Sequence, residues 1–431
     1  MKKLLLVIVL TLLAWASTVW VSWPAALDIW WLRREALNLS GILSFELMGL
    51  IMVLAVRPVW LEQAFGGLDR MYRVHKWAGI LAISFGILHY GIKLSGGLLK
   101  HFFERPPRVA HAQLWFDFLR SPVKDMGEWS VYLLAIMLVL TLWQRFPYSF
   151  WRYLHKALAV VFVVLSLHAL VLSPQTYWAQ PMGWLIAATA AVGSICALIS
   201  LFGQIGRQRT HQAIVTAIEH TGKDVLELEC KTDGKWKHQA GQFAFLRFNG
   251  WEGAHPFTIA SAANAQKTLR FSIKALGDYT HRLPYSVKVG DVVSIEGPYG
   301  CFTRANDARQ VWIAAGIGIT PFLAWLDEMK DSPDQAPSVT LHYCVRNEQE
   351  AIYSQELAAL CANLPSINLH IHQSERDGRA SMQSLHLGSN TENWPSVWFC
   401  GPQAFASHLF AELRKAGMPK HHFHQEAFQL R

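Results

Sequence analysis

The chain has 431 residues, more than one ordinary domain needs; 52% of them are hydrophobic, yet the mean hydropathy is only +0.18. That mixture excludes both a uniformly soluble protein and a pure membrane bundle, and it predicts a membrane half joined to a soluble half. The formal charge of +8 does not point to nucleic acid, because many Lys and Arg residues flank apolar segments, where they anchor topology.

Six apolar segments precede residue 207, at about 4–23, 39–56, 75–93, 128–144, 157–173 and 182–204. Each is near the roughly 17–25 residues that cross a bilayer. The first competes with a signal-peptide reading, since MKK, LLLVIVLTLL and AWA follow one another. Apolar residues continue to Trp23, beyond a typical signal core, so an uncleaved first span is expected. Eleven cations, from Lys2 and Lys3 to Arg207 and Arg209, would share the N-terminal side; eight, from Arg33 and Arg34 to Arg120 and Lys124, would lie opposite. This bias supports a cytoplasmic N-terminus.

Four of the 19 histidines fall in or at the edges of these segments. His75 and His89 lie on the third, His155 and His168 on the fifth. Odd-numbered spans run the same way, so His75 can face His155 and His89 can face His168. The separations of fourteen and thirteen residues are roughly 20 Å along a helix. Two facing imidazoles are what a six-coordinate haem iron needs, and two such pairs would stack two haems across the bilayer. The competing reading is a set of polar interior residues bonded to other helices. Fourteen residues return to nearly the same helix face, but thirteen miss by about 140°. The fifth helix must therefore tilt, unwind locally or present its ligands on different sides. Glu46, mid-way along the second span, is either a proton-relay or acceptor-site group or a hydrogen-bonded interior carboxyl.

After Arg207, runs such as DVLELEC, QFAFLRF, TLRFSIKAL and DVVSIEG read as antiparallel strands. HPFTIAS at 255–261 would set a hydroxyl and an aromatic ring against a flat heterocycle. Lys274 followed by GDYT (Gly277 to Thr280) offers a cation, a glycine turn and a hydroxyl to a pyrophosphate, and GPYG closes the region. From about 309, apolar runs (QVWIAA, SVTLHYC, INLHIH, SVWFC) alternate with helical stretches, the pattern of a parallel α/β unit. In QVWIAAGIGITPFLAWL a buried strand meets Gly316 and Gly318, then Thr320 as N-cap and Pro321 at the first helical position. The glycines let a phosphate approach the helix N-terminus. Arg346 lies just past the next strand, where a ribose or 2′-phosphate would sit, and CGP (Cys400 to Pro402) ends a later one. The six cysteines (196, 230, 301, 344, 361 and 400) are too far apart for a zinc ribbon, a CxxC pair or a Cys-ligated cluster.

In this order the motifs resemble, over nearly the whole chain, the ferric reductase and NADPH oxidase family of transmembrane flavocytochromes. The resemblance implies a six-helix di-haem membrane domain at 1–207, an antiparallel β-barrel FAD domain at 208–305 and an α/β NAD(P) domain at 306–431, the last two ferredoxin-NADP reductase-like. It implies that His255, Pro256, Phe257 and Thr258 line the isoalloxazine, with Ser261, Gly277 and Thr280 also at the flavin. Lys274 stands where the family usually has an Arg on the FAD phosphates. Gly316, Gly318, Thr320, Pro321, Gly401 and Pro402 would hold the nicotinamide nucleotide, and Arg346 would favour NADPH over NADH. Phe428, three residues from the end, is the candidate ring over the flavin; with Thr258 and Cys400 it would stand at the reacting atoms. The family's calcium-binding loop has no counterpart here.

The expected function is outward electron transfer from NADPH or NADH through FAD and two b-type haems, first at His75/His155 and then at His89/His168. The expected acceptor is ferric iron or a ferric chelate. A rival reading is an oxidase reducing O2 to superoxide. A third is an electron donor to a periplasmic partner protein docked on the large 94–127 loop. Lys93, one turn beyond His89, would draw in an anionic chelate, stabilise superoxide or snorkel to the interface. Arg70, Arg73 and Lys76 would meet haem propionates. The expected setting is the lipid bilayer of a bacterial-type inner membrane, with the soluble domains cytoplasmic and no nucleic-acid partner.

Overall fold

A computed structural model describes residues 2–24, 27–106, 117–143, 146, 148–248, 253–305, 307–387 and 393–426. The chain forms two compact units, one of residues 1–62 with 70–205, the other of 63–69 with 206–431.

The first unit is helical: α1 (Lys2–Val21), α2 (Ile29–Ala55), then, beyond the short α3 (Val59–Phe65), α4 (Leu68–Leu99), α5 (Arg120–Leu142), α6 (Tyr148–Leu172) and α7 (Pro181–Leu201). Among the described residues six helices are long and apolar enough to cross a membrane. Local chemistry starts them. Asp28 accepts from the amides of Trp30 (2.6 Å) and Trp31 (2.8 Å) as the N-cap of α2, and Pro181 opens α7. α2 is the most buried of them and packs on α1, α6 and α7. Small residues let the helices close. A Cβ on Gly49 would stand 2.3 Å from Thr189 Cγ2, and one on Gly193 2.4 Å from Phe162 Cζ. The third span is longer than hydropathy suggested, because α4 runs straight through the polar residues 68–74 and on to Leu99. Helix therefore occupies both ends of the expected 94–127 loop, whose residues 107–116 lie outside the described set.

The second unit holds two sheets. β1 (Thr210–Thr221), β2 (Val225–Thr232), β3 (Phe243–Arg247), β4 (His255–Thr258), β5 (Thr268–Lys274) and β6 (Val292–Tyr299) form an antiparallel sheet in the order β4-β3-β6-β1-β2-β5, with α8 (Asp278–Ser286) between β5 and β6. Ile259, just past β4, bridges to Phe271 of β5, so the sheet curls towards a barrel. Leu228, Phe271, Val293 and Ile295 fill its core.

The other sheet is wholly parallel, in the order β11-β10-β7-β8-β9: β7 (Arg309–Ala315), β8 (Ser338–Val345), β9 (Ile367–Gln373), β10 (Ser396–Cys400) and β11 (Phe423–Gln425). α9 (Thr320–Met329) and α10 (Ser354–Ala362) cover one face through Trp312, Phe322 and Trp325. The short α11 (Ser374–Asp377) follows β9, and α12 (Gln403–Lys415) helps to cover the other face through Leu409 and Leu413. Strands buried on both faces read as continuous apolar runs, which is why this sheet was visible in sequence.

Candidate functional site

In the membrane unit the four histidines meet in two pairs. His75 of α4 and His155 of α6 have ring centroids 6.0 Å apart; His89 of α4 and His168 of α6 are 6.4 Å apart. α6 is one uninterrupted helix, so it does not unwind to bring both rings to α4. The neighbours of its two histidines differ. His168 turns Nδ1 to the Val123 carbonyl of α5 (3.1 Å), whereas His155 stacks on Trp151 of its own helix (4.6 Å).

Hydrogen bonds orient three of the rings. Nδ1 of His89 donates to the Leu37 carbonyl (2.9 Å), Nδ1 of His168 to that of Val123, and His75 bonds the backbone of Ile51. An imidazole whose Nδ1 carries the bonded proton keeps its lone pair on Nε2, the state a metal ligand needs. Nδ1 of His155 is buried without a hydrogen bond. Glycines make room for the second pair. A Cβ on Gly41 would stand 2.8 Å from Nδ1 of His89, and one on Gly127 2.3 Å from Nδ1 of His168.

This donor set fits haem iron. Two metal–nitrogen bonds of about 2 Å plus two half-rings of about 1 Å place opposed imidazole centroids roughly 6 Å apart. Among the described residues no three His, Cys, Asp or Glu side chains form a metal-holding group. A pair of imidazoles suits a metal whose other positions a macrocycle supplies.

Two other membrane residues are placed. Glu46 accepts from the Thr189 hydroxyl at Oε2 (2.5 Å), while Oε1 is buried without a partner. Lys93 is one side of an ion pair. It pairs with Glu128 (2.5 Å), whose other oxygen accepts from Tyr90 (2.6 Å).

In the antiparallel sheet, HPFT is itself strand β4, paired with β3 from Phe243 to Leu246. The His255 ring stacks on Tyr279 of α8 at 3.7 Å and 12°. Thr258 is buried, and Pro256 and Phe257 are half-buried. The Thr280 hydroxyl accepts from the amides of Leu276 (2.9 Å) and Gly277 (3.0 Å) at the start of α8. Lys274 lies 3.7 Å from Glu350. Ser261 Oγ accepts from the Arg270 amide (3.1 Å), and its carbonyl accepts from His238 Nε2 (3.1 Å).

In the parallel sheet two motifs meet because β7 and β10 are neighbours, Ala314 opposite Cys400. Gly316 has φ +56°, a left-handed turn that favours glycine. A Cβ on Gly318 would stand 2.2 Å from the Cys400 carbonyl, and one on Gly401 2.6 Å from Ala315 Cβ. Thr320 is not the N-cap. A 3-10 turn over Gly316–Ile319 leads directly into α9, whose first residue is Thr320, and the hydroxyl donates to the Ile317 carbonyl (3.1 Å). Pro321 follows in the first turn, and Pro402 immediately precedes α12. The Cys400 side chain is fully buried, which pushes its thiol pKa well up, and its carbonyl approaches Gly318. Arg346 is exposed just after β8, and Phe428 lies outside the described residues.

Sequence reasoning did not single out Gly41, Gly127, Trp151 or Tyr279. For Tyr279 a signal existed, an aromatic inside the GDYT turn. For the others nothing local distinguished them.

Three family models match in order: a ferric reductase like transmembrane component at residues 40–166, an FAD-binding domain at 211–303 and an oxidoreductase NAD-binding domain at 312–409. Together the three models match the ferric reductase and NADPH oxidase family of flavocytochromes. The matched modules are a ferric-reductase-like transmembrane component followed by an FAD-binding and a nicotinamide-nucleotide-binding domain. Ferric reduction oxidase 8, mitochondrial, of Arabidopsis thaliana is 25% identical over 374 residues, 77% of this chain and 47% of the relative. The anthranilate 1,2-dioxygenase electron transfer component of Acinetobacter baylyi is 27% identical over 197 residues, 44% of this chain and 57% of its own. The chain thus spans about half the length of the curated relatives it matches. Among solved structures, the flavohem-like FAD/NAD-binding domain of nitric oxide dioxygenase from Vibrio cholerae covers 50% of this chain and 97% of its own, at 23% identity and TM-score 0.44.

Proposed function

We propose that the protein carries electrons across a membrane, from cytoplasmic NAD(P)H through FAD and two b-type haems to ferric iron or a ferric chelate outside. The observation that carries this reading is the double pairing of imidazoles, 6.0 Å apart at His75/His155 and 6.4 Å apart at His89/His168, on two helices long enough to span a bilayer. When bound, the flavin exchanges hydride for single electrons and the haems relay them.

The chain's own residues bind and orient. The imidazole pairs would hold the two irons, with Leu37 and Val123 fixing the outer rings through Nδ1. The exposed cations Arg70 and Arg73, in the turns before His75, and Lys76 beside it suit haem propionates. In the module at 208–305, His255 to Thr258 with Ser261, Lys274, Gly277 and Thr280 would hold FAD, Tyr279 fixing the His255 ring. In the module at 306–431, the glycine loop at the N-terminus of α9 would take nucleotide phosphates, with Pro321, Gly401 and Pro402 beside it and Arg346 at the neighbouring strand end. The charge bias of the loops supports placing both modules and the N-terminus in the cytoplasm, across a bacterial-type inner membrane.

The relative named for ferric reduction supports a ferric acceptor. The test supplies purified, NAD(P)H-reduced protein with ferric citrate and with O2 in separate reactions. Stoichiometric ferrous iron supports the reading. Superoxide matching the nucleotide consumed would replace it with an oxidase, and slow reoxidation by both would favour a protein acceptor.

A further inference from the structure

Arg270 stands at the junction of the two sheets of the second unit. Its guanidinium forks twice. Nε and Nη2 donate to the two oxygens of Glu227 on β2, at 2.9 and 3.0 Å. Nη1 and Nη2 donate to the two oxygens of Glu356 on α10, the second at 2.8 Å. Glu227 belongs to the antiparallel sheet and Glu356 to the nucleotide side, so one planar cation joins the two through four bonds. Exposed ion pairs contribute little, but bidentate, half-buried networks are the exception. Here the side chains of Arg270, Glu227 and Glu356 are 24%, 10% and 34% exposed.

The backbone ties this clamp to both candidate cofactor stretches. The Arg270 amide donates to Ser261 Oγ, and its carbonyl accepts from Ala260 (2.7 Å), both within the segment that begins HPFT. One residue on, the Ala262 amide donates to Asp327 of α9 (2.9 Å), the helix that opens at Thr320. A cavity of about 220 Å³ lies between these partners, lined by Ser261, Asn264, Arg270, Asp327 and Glu356. Bonds from Ala262 to Asp327 and from Arg270 to Glu356 cross beside the cavity, which Leu269, Leu323 and Leu360 also line.

We propose that Arg270 is a positioning residue, which sets the distance and angle between nicotinamide and flavin by clamping the nucleotide module to the flavin module through Glu356. The inference rests on reading the chain as an NAD(P)H–FAD oxidoreductase. Hydride transfer requires reacting atoms about 3–3.5 Å apart, and a misplacement of about 1 Å costs up to about a hundredfold in rate. Glu227, which also accepts from Ser272 Oγ (3.4 Å), holds the fork ready for Glu356.

The test is Glu356→Gln in the full-length purified protein, which leaves the Arg270–Glu227 bonds in place. FAD content and the dithionite-reduced spectrum should match the wild type. Flavin reduction by NAD(P)H, followed anaerobically by stopped flow, should slow about tenfold, with kcat falling more than KM rises. Glu356→Asp should recover part of the rate, and Arg270→Lys, which keeps the charge but loses the fork, should slow it similarly. Reduction within twofold of wild type in both Glu356→Gln and Arg270→Lys would overturn the proposal, as would loss of FAD from Glu356→Gln. A wild-type protein that binds no FAD, or is not reduced by NAD(P)H, would instead overturn the reading beneath it.

Discussion

Gly127 of α5 lies so close to His168 of α6 that a Cβ there would stand 2.3 Å from the ring nitrogen Nδ1. The same nitrogen donates to the Val123 carbonyl one turn earlier, so the ring is held by a bond and by a missing side chain together. Gly127→Ala should push the ring off Val123 and remove the haem of the second pair while sparing the first. Haem assayed against protein should fall from two per chain to about one, with FAD content unchanged. Two haems retained with an unaltered spectrum would show that the ring has room to move.

His168→Leu separates the two pairs in another way. NAD(P)H should still reduce the flavin and the haem at His75/His155, whereas ferric citrate reduction should drop by at least an order of magnitude, because removing a ligand abolishes the site rather than weakening it. Undiminished ferric reduction would remove His168 from the ligand set.

Gly318→Ala tests the nucleotide loop. The added methyl would meet the Cys400 carbonyl at 2.2 Å, and two backbone segments cannot yield as a flexible side chain would. A shift of the loop costing about 1–3 kcal/mol corresponds to roughly 5- to 150-fold in nucleotide affinity. KM for NAD(P)H should rise within that range, with FAD and haem content unchanged; an unaltered KM would mean that the nucleotide does not use this loop.

His342 gives a pH dependence. It is buried on β8 beside His370 and His372 of β9, with Nδ1 3.2 Å from Nε2 of His372. Burial first, then repulsion from His372, His370 and His386, lowers its pKa to about 3. Unfolded, the group titrates near 6.5, so below that pH the unfolded chain takes up a proton that the folded one refuses. Its contribution to stability is complete above about 6.5 and is lost at roughly 1.4 kcal/mol per pH unit down to about 3. Hydrogen exchange of the β8 and β9 amides should therefore show less protection at pH 5.5 than at pH 7.5. His342→Asn should lose less protection over the same interval; an equal loss would assign the effect to other groups.

Much of this arrangement was legible in sequence because it is written locally. Apolar length marks a span, and an uninterrupted apolar run marks a strand buried on both faces. Gly316, Gly318 and Cys400 were visible because parallel strand ends share one edge. What joins distant segments was not legible. Glu128 neutralises Lys93 from 35 positions away, which depends on the rotation of α5 against α4. Glu356 reaches Arg270 from 86 positions away, across two sheets. The helix start was misjudged at Thr320 for a local reason: a 3-10 turn supplies the preceding carbonyl, so the hydroxyl bonds backward instead of capping.

The most direct test of transmembrane electron transfer is the anaerobic visible spectrum of the purified full-length protein, recorded before and after NAD(P)H. Two haems per FAD, and conversion of both to the ferrous spectrum by the nucleotide alone, are expected. Absence of haem, or haem that dithionite reduces but NAD(P)H does not, would contradict transmembrane electron transfer.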